Sequence, residues 1–181
     1  MISETVFLGS NLSIIENVMS LFLSSNIETI DTNNILCYEK IKNNIMTNSY
    51  FHKLIYSDEF CSFNGIFFNF SLKDIYVEQY FNKIKCVISN NKHNVNCINK
   101  ISELEHKILR KFNESYIDKS IIYRIKEQLG NMNIKLQNST IQKLTNHKEV
   151  NFIIKISGIW SSNEKNECGL TFKFFIIDKK I

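Results

Sequence analysis

The sequence contains no proline and no alanine, only five glycines, a single tryptophan, and twenty lysines against two arginines. Without proline or glycine-rich stretches it has no segment typical of an interdomain linker or of a proline-rich ligand. No window approaches the roughly 20 apolar residues of a membrane-spanning helix. These absences, with 44% hydrophobic and 22% charged residues, predict one folded domain over residues 1–181 and no membrane partner.

Enzyme signatures are also missing. The chain has no glycine-rich phosphate loop, no HExxH and no GxSxG, and its four histidines lie far apart without ligand spacing. Asp58 and Glu59 follow a predicted strand, but no companion acid and lysine complete a nuclease site, so an acidic turn is favoured. We therefore expect no catalytic residue, no metal and no cofactor.

The cysteines carry no pairing pattern. Their number is odd, no CxxC occurs, and residues 1–13 lack the basic and apolar regions of a signal peptide. We expect reduced thiols in an intracellular compartment, either nucleus or cytoplasm. The five positions are Cys37, Cys61, Cys86, Cys97 and Cys168.

Charge is unevenly distributed along the chain. Residues 1–82 hold four basic and nine acidic residues (net −5), whereas residues 83–155 hold fourteen and six (net +8). A basic segment suits an anionic partner. The excess of Ile, Asn and Lys is also typical of an A/T-rich genome, so a solvated surface that reflects codon bias is an equal alternative.

Hydrophobic periodicity predicts an α+β fold. A helix is expected at about 11–23, a helical insert at about 96–130, and an antiparallel sheet in about 50–89 and 133–178. The sheet should contain five to seven strands, with two or three helices packed against it.

The last part of the chain predicts a long β-hairpin, VNFIIKISGIWSS at 150–162 and CGLTFKFFIID at 168–178. Alternation places Lys155 and Lys173 on the face away from the core. Strict alternation would turn Trp160 towards the core. A bulge at Ser157–Gly158 would instead bring it to the lysine face, because glycine often marks bulges.

Other predicted strands repeat this pattern of a cation between apolar neighbours, with further aromatic residues on the side away from the core. Lysines and aromatics on one sheet face can bind the phosphates and bases of a single strand. Edge protection by lysines, or helices covering the second face, would explain the same pattern without a ligand. The candidate nucleic-acid-binding residues are Lys53, Phe67, Lys85, Lys135, Lys155, Trp160, Lys173 and Phe175.

Three tracts carry a resemblance: KISGIW…GLTFKFF, YSDEFCSFNGIFFNF and the helical ISELEHKILRKF. Over about Tyr50–Asp178 the chain resembles small single-stranded-DNA-binding proteins of A/T-rich DNA viruses and Polinton-like mobile elements. The resemblance implies an OB-like barrel with an inserted helical pair, and sequence-independent binding of single-stranded DNA, rather than RNA, in replication. The positions that match the shared tract are Lys155, Trp160, Phe172, Lys173 and Phe175.

The sequence is compatible with two functions. The first is single-stranded nucleic-acid binding by a protein that can form a homo-oligomer. The second is a non-enzymatic viral interaction protein, such as a virion component or host-factor antagonist, in which the acidic N-terminal half supplies the partner surface.

Overall fold

The computed structural model describes residues 24–43, 46–80, 83–136 and 147–177, so the helix predicted at 11–23 lies outside the described residues. The described chain contains ten strands and two α-helices. The strands are β1 (Ser25–Asn26), β2 (Ile35–Lys42), β3 (Ser49–Ser57), β4 (Ser62–Phe63), β5 (Ile66–Tyr80), β6 (Lys83–Ile88), β7 (Ser120–Ile122), β8 (Asn133–Leu136), β9 (His147–Ser162) and β10 (Glu167–Ile177). The helices are α1 (Lys92–Phe112) and α2 (Arg124–Gly130).

A single mostly antiparallel sheet contains all ten strands, in the order β2-β3-β9-β5-β6-β8, with β10 on the other edge of β9. The α+β class is therefore confirmed. The number of strands was underestimated, because β1, β4 and β7 are only two or three residues long and leave no periodic signal. No pairing joins β8 to β10 within the described residues, so the sheet is not closed.

The strand β9 organises the sheet because it pairs on both edges. Its residues 151–162 pair with β10, while the opposite edge pairs with β5 up to Ile156 and with β3 from Gly158 onwards. The two partner strands therefore share one edge of β9, end to end. This arrangement places side chains from β3, β5, β9 and β10 on a common surface.

The core lies between one face of this sheet and α1. Alternate residues of β5 are fully or almost fully buried, as the period of two requires. Residues of α1 at steps of three and four, such as Ile101, Leu104 and Ile108, are buried as well. We call the sheet face that bears the core the inner face, and the opposite one the outer face. The inner-face residues of β5 are Ile66, Phe68, Phe70 and Leu72.

The helical insert differs from its prediction in the second half. The insert predicted at about 96–130 comprised two helices, of which the second was expected from about Asp118 to Leu129. The first part of that second helix is instead β7, which pairs in parallel with Glu167–Gly169, and the short α2 follows. Ile121 and Ile122 satisfied a helical period, but their β-branched side chains also suit a strand, and pairing with β10 decides between the two.

The start of α2 has no side-chain cap of its own. Instead, the buried carboxylate of Glu105 on α1 accepts hydrogen bonds from the backbone N–H groups of Ile125 (3.0 Å) and Lys126 (2.8 Å). This contact fixes α2 against α1. Burial raises the pKa of Glu105, although the two N–H groups act in the opposite direction.

Candidate nucleic-acid interface

A β-bulge in β9 determines which residues reach the outer face. Thr171 pairs with Gly158, but its neighbour Phe172 pairs with Ile156, so Ser157 is an extra residue in β9. Alternation is therefore shifted by one position beyond the bulge. The result is the second of the two predicted arrangements: Trp160 lies on the outer face.

Gly158 is required at this bulge. A Cβ atom there would lie 2.3 Å from the carbonyl oxygen of His52 and 2.4 Å from a ring carbon of Phe51. No side chain fits at these distances. The Phe51 ring therefore packs directly over the bulge, beside Trp160, with which Phe51 is paired.

Cross-strand pairing arranges the outer face in rows. The first row, which we call the aromatic row, contains two aromatic rings; the next two rows carry lysines, and the fourth row contains one aromatic residue. From one end to the other, the rows are Gly169–Trp160–Phe51, Thr171–Gly158–Lys53, Lys173–Lys155–Phe67 and Phe175–Ile153–Asn69. Lys173 is the fourth residue after Gly169 on β10, and the distance between them along the strand is about 13 Å.

The third row places two like charges opposite each other. Lys155 on β9 is the direct cross-strand partner of Lys173 on β10, and its other neighbour is Phe67. The Lys155 ammonium lies over the Phe67 ring, 5.1 Å from its centroid. Opposed like charges destabilise a sheet. This row therefore has a net positive charge without any carboxylate within it.

The cations of α1 contrast with those of the outer face. Lys100 pairs with Glu28, Lys107 with Glu103 at 2.8 Å, and Arg110 with Glu114 at 3.4 Å. Within the described part of the chain, no ion pair involves Lys53, Lys155 or Lys173. Three basic residues of the segment are thus paired with carboxylates on or near α1, whereas the described part of the chain offers no such partner to the lysines at the centre of the outer face.

Two of the predicted lysines lie away from this centre. Lys85 and Lys135 share a row with Glu78, on the same face of the sheet. Glu78 is eleven residues from Phe67 along β5, which is roughly 36 Å of strand. Lys85 also forms an ion pair with Glu78 at 3.4 Å. The structure therefore brings six of the eight predicted residues together in neighbouring rows, and Lys85 and Lys135 lie outside those rows.

Arg124, which the sequence reasoning did not select, contacts the aromatic row. Its guanidinium carbon lies 5.3 Å from the centroid of the Trp160 ring, and the indole also packs closely against Gly169. Arginine stacks on aromatic rings better than lysine does. In a chain with only two arginines, the presence of one at the first position of α2 was the available signal.

Two buried thiols and the Asp58 carboxylate have shifted pKa values with clear structural causes. Burial raises the pKa of Cys86 to about 12 and that of Cys168 to about 11, so neither is a ready thiolate. The Asp58 carboxylate accepts hydrogen bonds from the N–H groups of Phe60 and Cys61, which lowers its pKa and closes a turn. Among the described residues, no three His, Cys, Asp or Glu side chains converge as metal ligands would.

Comparisons with protein-family models, with curated proteins and with solved structures found no match to this chain. Of the helices in the described ranges, none combines the length and the apolar character needed to cross a bilayer.

Proposed function

We propose that the protein binds single-stranded DNA on the outer face of its sheet, without sequence preference, in replication of a DNA virus or mobile element. The observation that carries this proposal is the opposed Lys155–Lys173 pair, which has an aromatic neighbour and, among the residues that the structure describes, no carboxylate partner. A phosphate between the two ammonium groups would relieve their repulsion. The resemblance of residues 50–178 to viral single-strand-binding proteins implies the same function, and an OB-like barrel with it.

The rows on either side of the lysine pair are suited to a nucleic-acid strand that crosses the sheet. Phe51 and Trp160 at one end and Phe175 at the other are partly accessible aromatic residues. Bases stack on aromatic rings regardless of sequence, at about 1–3 kcal/mol per base. Lys53, between the aromatic row and the lysine pair, supplies a further cation. Glu149 and Glu167 also lie on the outer face, but their cross-strand partners place them outside these four rows.

The direct test is fluorescence polarisation with labelled oligo-dT, a matched duplex and oligo-U, at low and high salt. We expect the highest affinity for oligo-dT, and a steep loss of affinity as salt rises because bound lysines release counterions. Quenching of Trp160, the only tryptophan, should accompany binding, because its row forms part of the surface. Equal affinity for the duplex, or no binding at low salt, would contradict the proposal.

Another surface favours a different function. The strand β2 ends the strand order, and three of its large apolar side chains are well exposed: Leu36 (48%), Tyr38 (54%) and Ile41 (60%). An exposed apolar edge strand is suited to pairing with a strand of another protein. A protein captured from host lysate by the wild type but not by Ile41→Lys, together with no oligonucleotide binding, would favour an interaction protein.

A further inference from the structure

The outer face of the sheet continues beyond β3 onto β2, the strand that ends the strand order. Ile41 of β2 pairs with Phe51, so it adds a fourth side chain to the aromatic row. Leu36 pairs with Ile55, which lies on the same face as Lys53 because the two are two residues apart. The rows of the candidate interface therefore do not end at β3.

A β-bulge in β2 determines where Tyr38 lies. The register of β2 against β3 shifts by one residue between Cys37 and Lys40. Tyr38 and Glu39 therefore together oppose a single residue of β3, Lys53. Cys37 packs against the core, so its neighbour Tyr38 points to the opposite face. The bulge thus places an aromatic ring on the outer face, beside one of the predicted lysines.

The Tyr38 side chain is the most accessible aromatic surface of this region. It is 54% exposed, and within the described ranges its ring takes part in no ring stacking or cation contact. The rings of the aromatic row are already in contact, because Phe51 packs over Gly158 and Arg124 lies over Trp160. An accessible ring on a sheet face can stack on any base, since every base has a π-face.

Three lysines lead to Tyr38 along a diagonal across four adjacent strands. They and the tyrosine follow one another as Lys173 on β10, Lys155 on β9, Lys53 on β3 and Tyr38 on β2. Neighbouring strands are about 4.8 Å apart and the row of Lys53 is next to that of the lysine pair, so successive positions are roughly 5–8 Å apart at the backbone. A nucleic-acid backbone that follows these lysines reaches β2 at Tyr38.

Glu39, the other residue of the bulge, limits how far the phosphates extend. It is exposed, and it lies on the outer face because Ile41, two positions further on, pairs with Phe51. Like charges repel, so a phosphate is favoured beside Lys53 on the β9 side and disfavoured beside Glu39 on β2. At β2 the nucleic acid therefore presents a base to the protein, and Tyr38 is the side chain that can stack on it.

We propose that Tyr38 forms a base-stacking subsite at the end of the single-strand path, so that the bound nucleic acid runs from β10 across β9 and β3 to β2. Lys173, Lys155 and Lys53 bind phosphates, and the base that follows stacks on the Tyr38 ring. Stacking reads no hydrogen-bond pattern, so the subsite adds affinity without adding sequence preference. This inference rests on the proposed function.

The test measures oligo-dT binding by full-length Tyr38→Leu, Tyr38→Phe and Glu39→Gln at several salt concentrations. Tyr38→Leu should weaken binding roughly fivefold or more, the lower limit for one stacked base, with an unchanged salt slope because no cation is lost. Tyr38→Phe keeps the ring and should bind like the wild type. Glu39→Gln should bind more tightly at low salt and like the wild type at high salt. Tyr76→Leu is the matched control, because Tyr76 is 53% exposed and pairs with Val87, outside these rows.

The outcomes separate the subsite from the proposed function. If oligo-dT does not bind the wild type at all, the proposed function fails. If it binds and Tyr38→Leu matches Tyr76→Leu, or Tyr38→Phe loses as much affinity as Tyr38→Leu, the stacking subsite alone is refuted. Sedimentation gives the other occupant of this surface: a wild-type dimer that Tyr38→Leu dissociates, with oligo-dT affinity unchanged, would show that a second copy of the chain covers it instead.

Discussion

Replacing Lys155 and Lys173 together by glutamine should weaken single-strand binding while leaving the fold intact. Both ammonium groups lie in one row, and neither has a carboxylate partner among the described residues. If each lysine neutralises one phosphate, the slope of log affinity against log salt should become shallower by about 1.4, since each contact to a single strand contributes about 0.7. Between 50 and 200 mM salt, the wild type should then lose about sevenfold more affinity than the variant.

The fold itself should gain slightly from this change. Removing two opposed like charges should stabilise the sheet by about 0.2–1 kcal/mol, so thermal unfolding should occur at the same or a slightly higher temperature. This expectation matters because weaker binding by a destabilised variant would be uninformative.

The matched control is Lys100→Gln with Lys107→Gln, which removes the same total charge from α1. These two lysines already pair with Glu28 and Glu103, so the salt slope should stay near that of the wild type. The measurement is polarisation of labelled oligo-dT at five or six salt concentrations. An unchanged slope in the outer-face variant, or an equal reduction in the control, would show that Lys155 and Lys173 do not contact the strand.

Three further predictions concern stability. Burial and Lys40 lower the pKa of His52, so the unfolded chain binds this proton at a higher pH than the folded protein does. The free energy of unfolding of the wild type should therefore decrease below about pH 6.5, and that of His52→Leu should decrease less. Denaturant titrations at pH 7.5 and 5.5 measure both. Burial raises the pKa of Glu105, so the contribution of this side chain to stability should decline as the pH rises above the ordinary pKa of a glutamate. If unfolding of Glu105→Gln depended on pH as that of the wild type does, this prediction would be contradicted. Gly158→Ala should cost at least about 1–3 kcal/mol by calorimetry because its Cβ meets backbone, whereas Gly130→Ala, with open space around it, should be neutral or stabilising.

The sequence predicted those elements whose signals are local. The final hairpin was recognisable from its two apolar arms and polar connector, and α1 from its period. The side of the sheet on which Trp160 lies was undecidable, because the bulge depends on how Phe51 of β3 packs over Gly158. The second insert helix was misplaced because Ile121 and Ile122 fit both periodicities, and only the distant strand β10 decides between them.

The candidate interface likewise combines features that local sequence patterns predict with features that depend on distant contacts. The strand pattern selected lysines and aromatics of the outer face and left the side of Trp160 open, but it could not show which of them share neighbouring rows. Lys85 and Lys135 belong to a separate row with Glu78. The contact between Arg124 and Trp160 joins residues 36 positions apart in sequence, and no local pattern encodes it.

The shared edge of β9 has a consequence for how the chain is made. The strands β3 and β5 receive their central partner only when β9 leaves the ribosome, and Ile66 and its partner Ile156 are 90 residues apart. At roughly 5–20 residues per second, synthesis of that interval takes about 5–20 s. Throughout this time residues 66–73 of β5 lack their β9 partner, although β6 and α1 have already been made. We therefore expect the nascent chain to bind chaperones, and truncation before the final hairpin should yield aggregates rather than a smaller folded protein.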